Sequence, residues 1–262
     1  KKDCKKRAAE LHDEALFKKP PPREDCPVCM LPLPLNNLAV KYQPCCGKEL
    51  CNGCIHAAFM ADKRQRYLCP FCRTPEAKWI RESMQRLNNC VEGGDAIAIH
   101  ELGCYYRDGS MGLPQDRRRA MELWYRSGEL GCATSYGRIA YAYNNGEGVE
   151  RDVKKAKHYF ELAAMGGDVL ARHNLGIIEG QAGNVGRAVK HWIMSAGAGY
   201  DDSLEAIRKC FMHGDATKDD FERALRAHKE AKDEMKSDQR EVAAAIFTEH
   251  RMAAAHGRNN YR

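Results

Sequence analysis

The residues of this sequence best suited to chemistry are cysteines, and their spacing matters more than their number. Of 13 cysteines, eight fall between positions 26 and 72. They form the pairs Cys26 and Cys29, Cys45 and Cys46, Cys51 and Cys54, and Cys69 and Cys72, and three of these pairs are CxxC. A CxxC turn sets two thiolates on one side of a tight loop, where they can take two corners of a tetrahedron about 2.3 Å from a zinc ion. Two such turns close a site. Eight thiolates therefore imply two structural Zn2+ with no open coordination position. The metal would supply folding energy to a segment of about 50 residues that is too small to hold itself together by burial. An odd cysteine total, repeated CxxC spacing and the lack of a secretory signal weigh against an oxidised disulfide framework. The remaining Cys4, Cys90, Cys104, Cys132 and Cys210 have no partner at ligand spacing and read as small core or surface residues.

Read in order, the cysteine-rich stretch runs CPVC, fifteen residues, CC, GKEL, CNGC, fourteen residues, CPFCR. It resembles a RING finger of the all-cysteine subclass. Interleaving of the pairs in that family implies that Cys26, Cys29, Cys51 and Cys54 hold one zinc and Cys45, Cys46, Cys69 and Cys72 the other. The adjacency of Cys45 and Cys46 departs from the usual RING, and Lys48, protonated at neutral pH, cannot ligate. Either both adjacent cysteines bind, or Cys46 binds and a donor such as His56 completes the site. The cysteine pair is preferred, since thiolates outcompete a distant imidazole in a closed structural site.

The same resemblance implies a function without a nucleophile. A RING holds a ubiquitin-conjugating enzyme and its thioester-linked ubiquitin in a reactive orientation. The matching groove would use Val28, Ile55, Phe59 and Pro70. Arg73 would be the cation that bridges the conjugating enzyme and ubiquitin, a role suited to a planar guanidinium.

Around this segment the chain divides by composition. Residues 1–24 read as a helical segment, with Ala8, Leu11, Ala15 and Leu16 at helical spacing, ended by Pro20, Pro21 and Pro22. This helix is expected to be a solvated face or the end of a longer helix. The zinc-type segment covers 25–75, and 76–94 reads as a linker helix.

From residue 95, glycine, alanine and tyrosine recur with a period of about 36 residues. Leu102, Ile139 and Leu175 share one column, Asp116 and Asp152 another, and Ala120, Ala156, Ala188 and Ala224 a third. Each unit reads as helix, glycine-bearing turn, helix. Asp116 and Asp152 stand where an N-cap carboxylate accepts free amides, and Gly131 and Gly167 where a helix stops. The units, at 95–131, 132–167, 168–200 and 201–237, resemble Sel-1-like repeats, relatives of the tetratricopeptide class. In the fourth, Thr217 and Asp220 can form a capping box. Helical pairs of this kind stack into a solenoid whose surface usually binds protein. Tyr105, Tyr106, Trp124, Tyr141, Tyr143, Tyr159 and Trp192 are expected mainly to pack between helices. Residues 238–262, with Val242, Ile246 and Met252 loosely spaced, are expected to cap the last repeat.

The expected architecture is thus a small two-zinc cross-brace RING domain (α+β) followed by an all-α solenoid of Sel-1-like hairpins. A formal charge of +6 arises from 42 basic residues dispersed among 36 acidic ones, the pattern of solvated helix faces rather than a nucleic-acid surface. No phosphate loop, serine-histidine-acid signature or dinucleotide fingerprint occurs. No apolar run is long enough for a membrane span, so an intracellular protein of cytoplasm or nucleus is expected, although a chain starting at Lys1 reads as a fragment. Two functions remain: a RING ubiquitin ligase with the conjugating enzyme on the zinc domain and substrate or complex partners on the repeats, or a non-catalytic zinc-binding scaffold.

Overall fold

The computed structural model describes residues 2–61 and 66–259. The chain forms two compact units, one of residues 1–23 and 88–232 and the other of residues 24–87 and 233–262.

The first unit is all-helical. Helix α1 (Lys2–Leu16) precedes the hairpins α4 (Ala96–Asp108) with α5 (Arg117–Glu129), α6 (Ala133–Asn145) with α7 (Val153–Met165), α8 (Val169–Gln181) with α9 (Val185–Gly197), and α10 (Asp201–His213) with α11 (Lys218–Glu234). The predicted caps are in place. Asp116 accepts from the Arg119 amide, and Asp152 from those of Lys154 and Lys155. Thr217 and Asp220 bond reciprocally at the start of α11. Residues 182–184 alone join α8 to α9, whereas 109–116 and 146–152 join the two earlier pairs, so the shorter third period is a shortened turn between helices of unchanged length.

Packing within the hairpins depends on matched sizes. A Cβ added at Gly103 would fall 2.6 Å from Trp124 Nε1, and one at Gly176 would likewise enter the Trp192 ring. The corresponding positions of the second hairpin hold Ala140 and Phe160, both in the buried cluster with Leu175. A larger residue on one helix thus goes with a smaller one on the other, as close packing requires. Between hairpins, His100 Nδ1 lies 2.8 Å from Ser135 Oγ, which donates to Ser127 Oγ, and Ser127 donates to the Ala96 carbonyl. His173 with Ser203, and Ser195 with the Val169 carbonyl, repeat parts of this pattern two units on. Of the expected packing aromatics, Trp124 is buried and Tyr143 stacks on Tyr159 at 5.9 Å, but Tyr141 is exposed.

The second unit is small. Strands β1 (Val40–Gln43) and β2 (Lys48–Cys51) pair antiparallel with Val40 opposite Cys51 and Gln43 opposite Lys48. Helices α2 (Asn52–Ala61) and α12 (Asp238–Asn259) complete it, and α3 (Ile80–Glu92) begins in it. The core is made largely of cysteines, together with Leu33 and Leu50.

Two expectations about the chain ends are corrected. Helix α12 packs against α2 in the cysteine-rich unit rather than capping the last repeat. On it Ala243 is buried and Arg240 and Ile246 are half-buried, while Val242 stays exposed, so only part of the apolar stripe visible in the sequence faces inward. The side chain of Met252 lies outside the described residues. At the other end, α1 is not simply a solvated helix, because Leu16 is 0% exposed and joins the core of the repeats. No helix among the described residues is long and apolar enough to cross a membrane.

Candidate metal centres

The two CPxC loops have the same local construction. In the first, Met30 donates to the Cys26 carbonyl (2.8 Å) and Cys26 to the Leu31 carbonyl (2.9 Å). In the second, Arg73 donates to the Cys69 carbonyl (3.0 Å) and Cys69 to the Thr74 carbonyl (2.9 Å). Met30 and Arg73 both adopt left-handed backbone, with φ of 56° and 62°. Isolated bridges, Asp25 to Pro32 and Leu68 to Pro75, close the two loops identically. The repeated string CPxCxxP, residues 26–32 and 69–75, is the sequence signal for this geometry.

The other two pairs sit on the hairpin and the helix that follows it. Cys45 and Cys46 occupy the turn between β1 and β2, where the Cys46 and Gly47 amides both donate to the Gln43 carbonyl. Cys51 ends β2, and Cys54 lies in the first turn of α2. A strand running directly into a helix points both thiols to the same side.

The structure brings these pairs into two groups, Cys26 with Cys29, Cys51 and Cys54, and Cys45 with Cys46, Cys69 and Cys72. Within each group the sulfurs lie within 4.8 Å of one another. Four ligands about 2.3 Å from a zinc ion at tetrahedral angles would stand roughly 3.8 Å apart. The separations are 3.9 Å for Cys26 to Cys54 and for Cys29 to Cys51, 4.0 Å for Cys46 to Cys69, and 3.4 Å for Cys45 to Cys72. All are far beyond the length of a disulfide bond, about 2 Å. Each donor set therefore fits a zinc ion. His56 belongs to neither group.

Electrostatics support the same reading. The closeness of Cys51 and Cys54 pushes the Cys51 thiol below its ordinary range and the Cys54 thiol far above it. Burial raises Cys46 to about 11, whereas the Thr74 hydroxyl, 3.2 Å from Cys72 Sγ, helps lower that thiol to about 6. Four crowded sulfurs cannot all ionise without a compensating cation.

The side chain least foreseen from the sequence is Arg240 of α12. Its guanidinium donates to Cys29 Sγ (3.3 Å) and to the carbonyls of Leu31 (3.2 Å), Pro32 (2.8 Å) and Met235 (2.9 Å). Gly53 admits it, since a Cβ there would stand 2.8 Å from Arg240 Cγ and 2.9 Å from its backbone nitrogen.

Among the residues expected to form a groove, Val28 and Phe59 are 40% and 39% exposed. Ile55 is half-buried against the cysteine core, Pro70 is half-buried and Arg73 is exposed. The Arg66 guanidinium stacks over the Phe59 ring at 4.4 Å. Sequence reasoning missed Phe71, which is exposed and occupies in the second CPxC loop the position that Val28 holds in the first.

The first unit is thus a stack of helical hairpins, and the second carries a pair of four-cysteine groups. The Sel1 repeat family model matches residues 96–132 and 133–168. No RING or zinc-finger family model matches the cysteine-rich segment. The chain is 32% identical over 111 residues to the ERAD-associated E3 ubiquitin-protein ligase component HRD3B of Arabidopsis thaliana, covering 42% of this chain and 17% of that protein. It is 31% identical over 96 residues to the chitin synthase regulator SKT5 of Saccharomyces cerevisiae, covering 36% of this chain and 13% of that protein. The chain therefore spans less than a fifth of the length of these relatives. Among solved structures, a Sel1 repeat protein from Oxalobacter formigenes has the same fold, with a TM-score of 0.53, 24% identity, and coverage of 60% of this chain and 66% of that one. The protective antigen c5321 of uropathogenic Escherichia coli, which displays an SLR fold, gives a TM-score of 0.51 at 26% identity, covering 58% of this chain and 33% of that one. The chain carries Sel1 repeats, and these support a protein-interaction role.

Proposed function

We propose that this protein is a RING-type ubiquitin ligase in which the cysteine-rich unit recruits a ubiquitin-conjugating enzyme and the Sel1 repeats bind substrate or complex partners. The observation that carries this reading is the pair of interleaved four-cysteine groups, built from two like CPxC loops with Val28 and Phe71 exposed at their tips. Two Zn2+ would be held by Cys26, Cys29, Cys51 and Cys54 and by Cys45, Cys46, Cys69 and Cys72. Bound metal would stiffen the loops. Val28, Met30, Phe59, Met60, Phe71 and Trp79, all exposed, give one short segment a concentration of apolar surface of the kind that marks interaction sites. Arg73, held in left-handed backbone directly after Cys72, offers the guanidinium that would bridge conjugating enzyme and ubiquitin. No side chain of this chain need attack the thioester; the rate gain comes from orientation. The Arabidopsis relative, by its name a component of an E3 ubiquitin-protein ligase, is consistent with this context.

The test is autoubiquitination with a panel of conjugating enzymes, comparing wild type, Val28→Ala, Arg73→Ala and Cys26→Ser. Loss of roughly tenfold or more with Val28→Ala, and a smaller loss with Arg73→Ala, at unchanged zinc content and helicity, would support the ligase. Inactivity with every conjugating enzyme, from a folded chain that retains two zinc ions, would favour the non-catalytic scaffold.

A further inference from the structure

The residues after α1 lie on the repeats as a bound peptide would. Leu16 is wholly buried in the cluster that contains Phe160, Ala164, Ala171 and Leu175. The Phe17 ring stands 4.7 Å from His191 and carries two cations over its face, Arg187 at 5.3 Å and Lys190 at 5.6 Å. Arg172, 3% exposed, donates to the Leu16 carbonyl (2.6 Å) at the end of α1, where a helix concentrates partial negative charge. Asp13 pairs with Arg187, and Arg187 in turn with the buried Glu179. Arg23 then donates to the Ala198 carbonyl (2.6 Å).

This contact is narrow, specific and incompletely satisfied. Leu11, one turn before the anchor, is 49% exposed. The repeats thus grip the last turn of a helix and a few residues beyond it. Beneath Phe17, His191 is 0% exposed with neither ring nitrogen hydrogen-bonded among the described residues. Leaving both nitrogens without partners costs about 1–3 kcal/mol, and exposing them to water when the segment leaves would offset part of its hold on the repeats.

We propose that the second and third hairpins form a recognition site for an amphipathic helix that ends in Leu-Phe with an aspartate three residues before the leucine, and that residues 12–23 fill this site in cis. The socket supplies each element of that chemistry: an apolar pocket for leucine, a cationic box for the aromatic ring, Arg187 for the carboxylate and Arg172 for the helix's last carbonyl. These are the anchors of helix-in-groove recognition. A tethered segment competes at an effective concentration on the order of millimolar, so a partner helix must displace it. The inference rests on the repeats being a protein-binding solenoid and is independent of ubiquitin transfer.

The test is fluorescence anisotropy with a labelled peptide of residues 2–23 and the full chain. Wild type should bind it weakly. The variant L16D/F17D, which releases the segment, should bind it at least tenfold more tightly, and adding R187E should abolish the gain. A milder variant, D13K, should raise uptake severalfold at unchanged helicity. Helical L16D/F17D that takes up no peptide would overturn the proposal, as would loss of the repeats' helical signal in both L16D/F17D and D13K, since residues 12–23 would then be core. Ubiquitin transfer is not read here, so failure leaves the ligase reading untouched.

Discussion

Arg240 Nη2 lies 3.3 Å from Cys29 Sγ, joining residues 211 positions apart. The guanidinium also holds the Leu31 and Pro32 carbonyls, so it fixes the first CPxC loop and sets a cation beside the Cys29 sulfur. If the two groups are zinc sites as proposed, Arg240→Gln is expected to weaken binding at the one containing Cys29 by roughly ten- to a hundredfold and to leave the other unchanged. Chelator competition with stoichiometric zinc readout checks this. Equal loss at both sites, or at neither, would contradict it. Gly53→Ala should mimic the variant, because the added carbon meets the Arg240 backbone nitrogen, which cannot step aside.

Removing zinc should separate the two units energetically. The repeats use no cysteine from the two groups, so their cooperative unfolding should persist under a strong chelator. Helical signal should nevertheless fall by more than α2 accounts for, because the 22-residue α12 is docked on α2 and should loosen with it. Hydrogen exchange is the direct measurement. Protection of α12 that survives metal loss would show that the helix stands without the centre.

In the third hairpin, Gly176→Ala should destabilise the repeats by about 1–3 kcal/mol, the usual cost of overpacking. Trp192→Phe combined with it should recover part of the loss, since the second hairpin already pairs Ala140 with Phe160. Urea denaturation of the single and double variants gives the coupling. Strict additivity would mean that the two positions do not share one space.

The buried histidines contribute to the acid sensitivity of the repeats. Burial, aided by nearby Arg138 and Arg107, lowers His100 to about 3, and burial with Arg172 and Arg187 does the same for His191. The unfolded chain takes up these protons near pH 6.5 and the native chain only near 3. Stability from each neutral imidazole is therefore complete above 6.5 and declines as pH falls through that window, at up to roughly 1.4 kcal/mol per pH unit. Unfolding of the repeat unit at pH 7.5 and 5.0 should show the decline, and His191→Phe should flatten it. An unchanged slope in that variant would mean that the native state protonates His191 at little cost.

Much of this was legible along the chain. Ligand spacing announced the cysteine pairs because a CxxC turn is a local object, and the period near 36 announced the hairpins because each one repeats the same caps and glycines. Asp116, Asp152, Thr217 and Asp220 act within a turn of their own position, so local sequence sufficed to place them. What only the tertiary structure decided is where the ends of the chain go. Leu16 and Phe17 look like the tail of a polar helix until Arg172 and His191 are seen around them. Arg240 looks like one of many surface cations until α12 lies on α2 and brings it to Cys29. Those contacts span 156 and 211 residues of chain, and no periodicity or spacing records them. They depend on burial and charge meeting in space, which is set by the folded units rather than by neighbours in sequence.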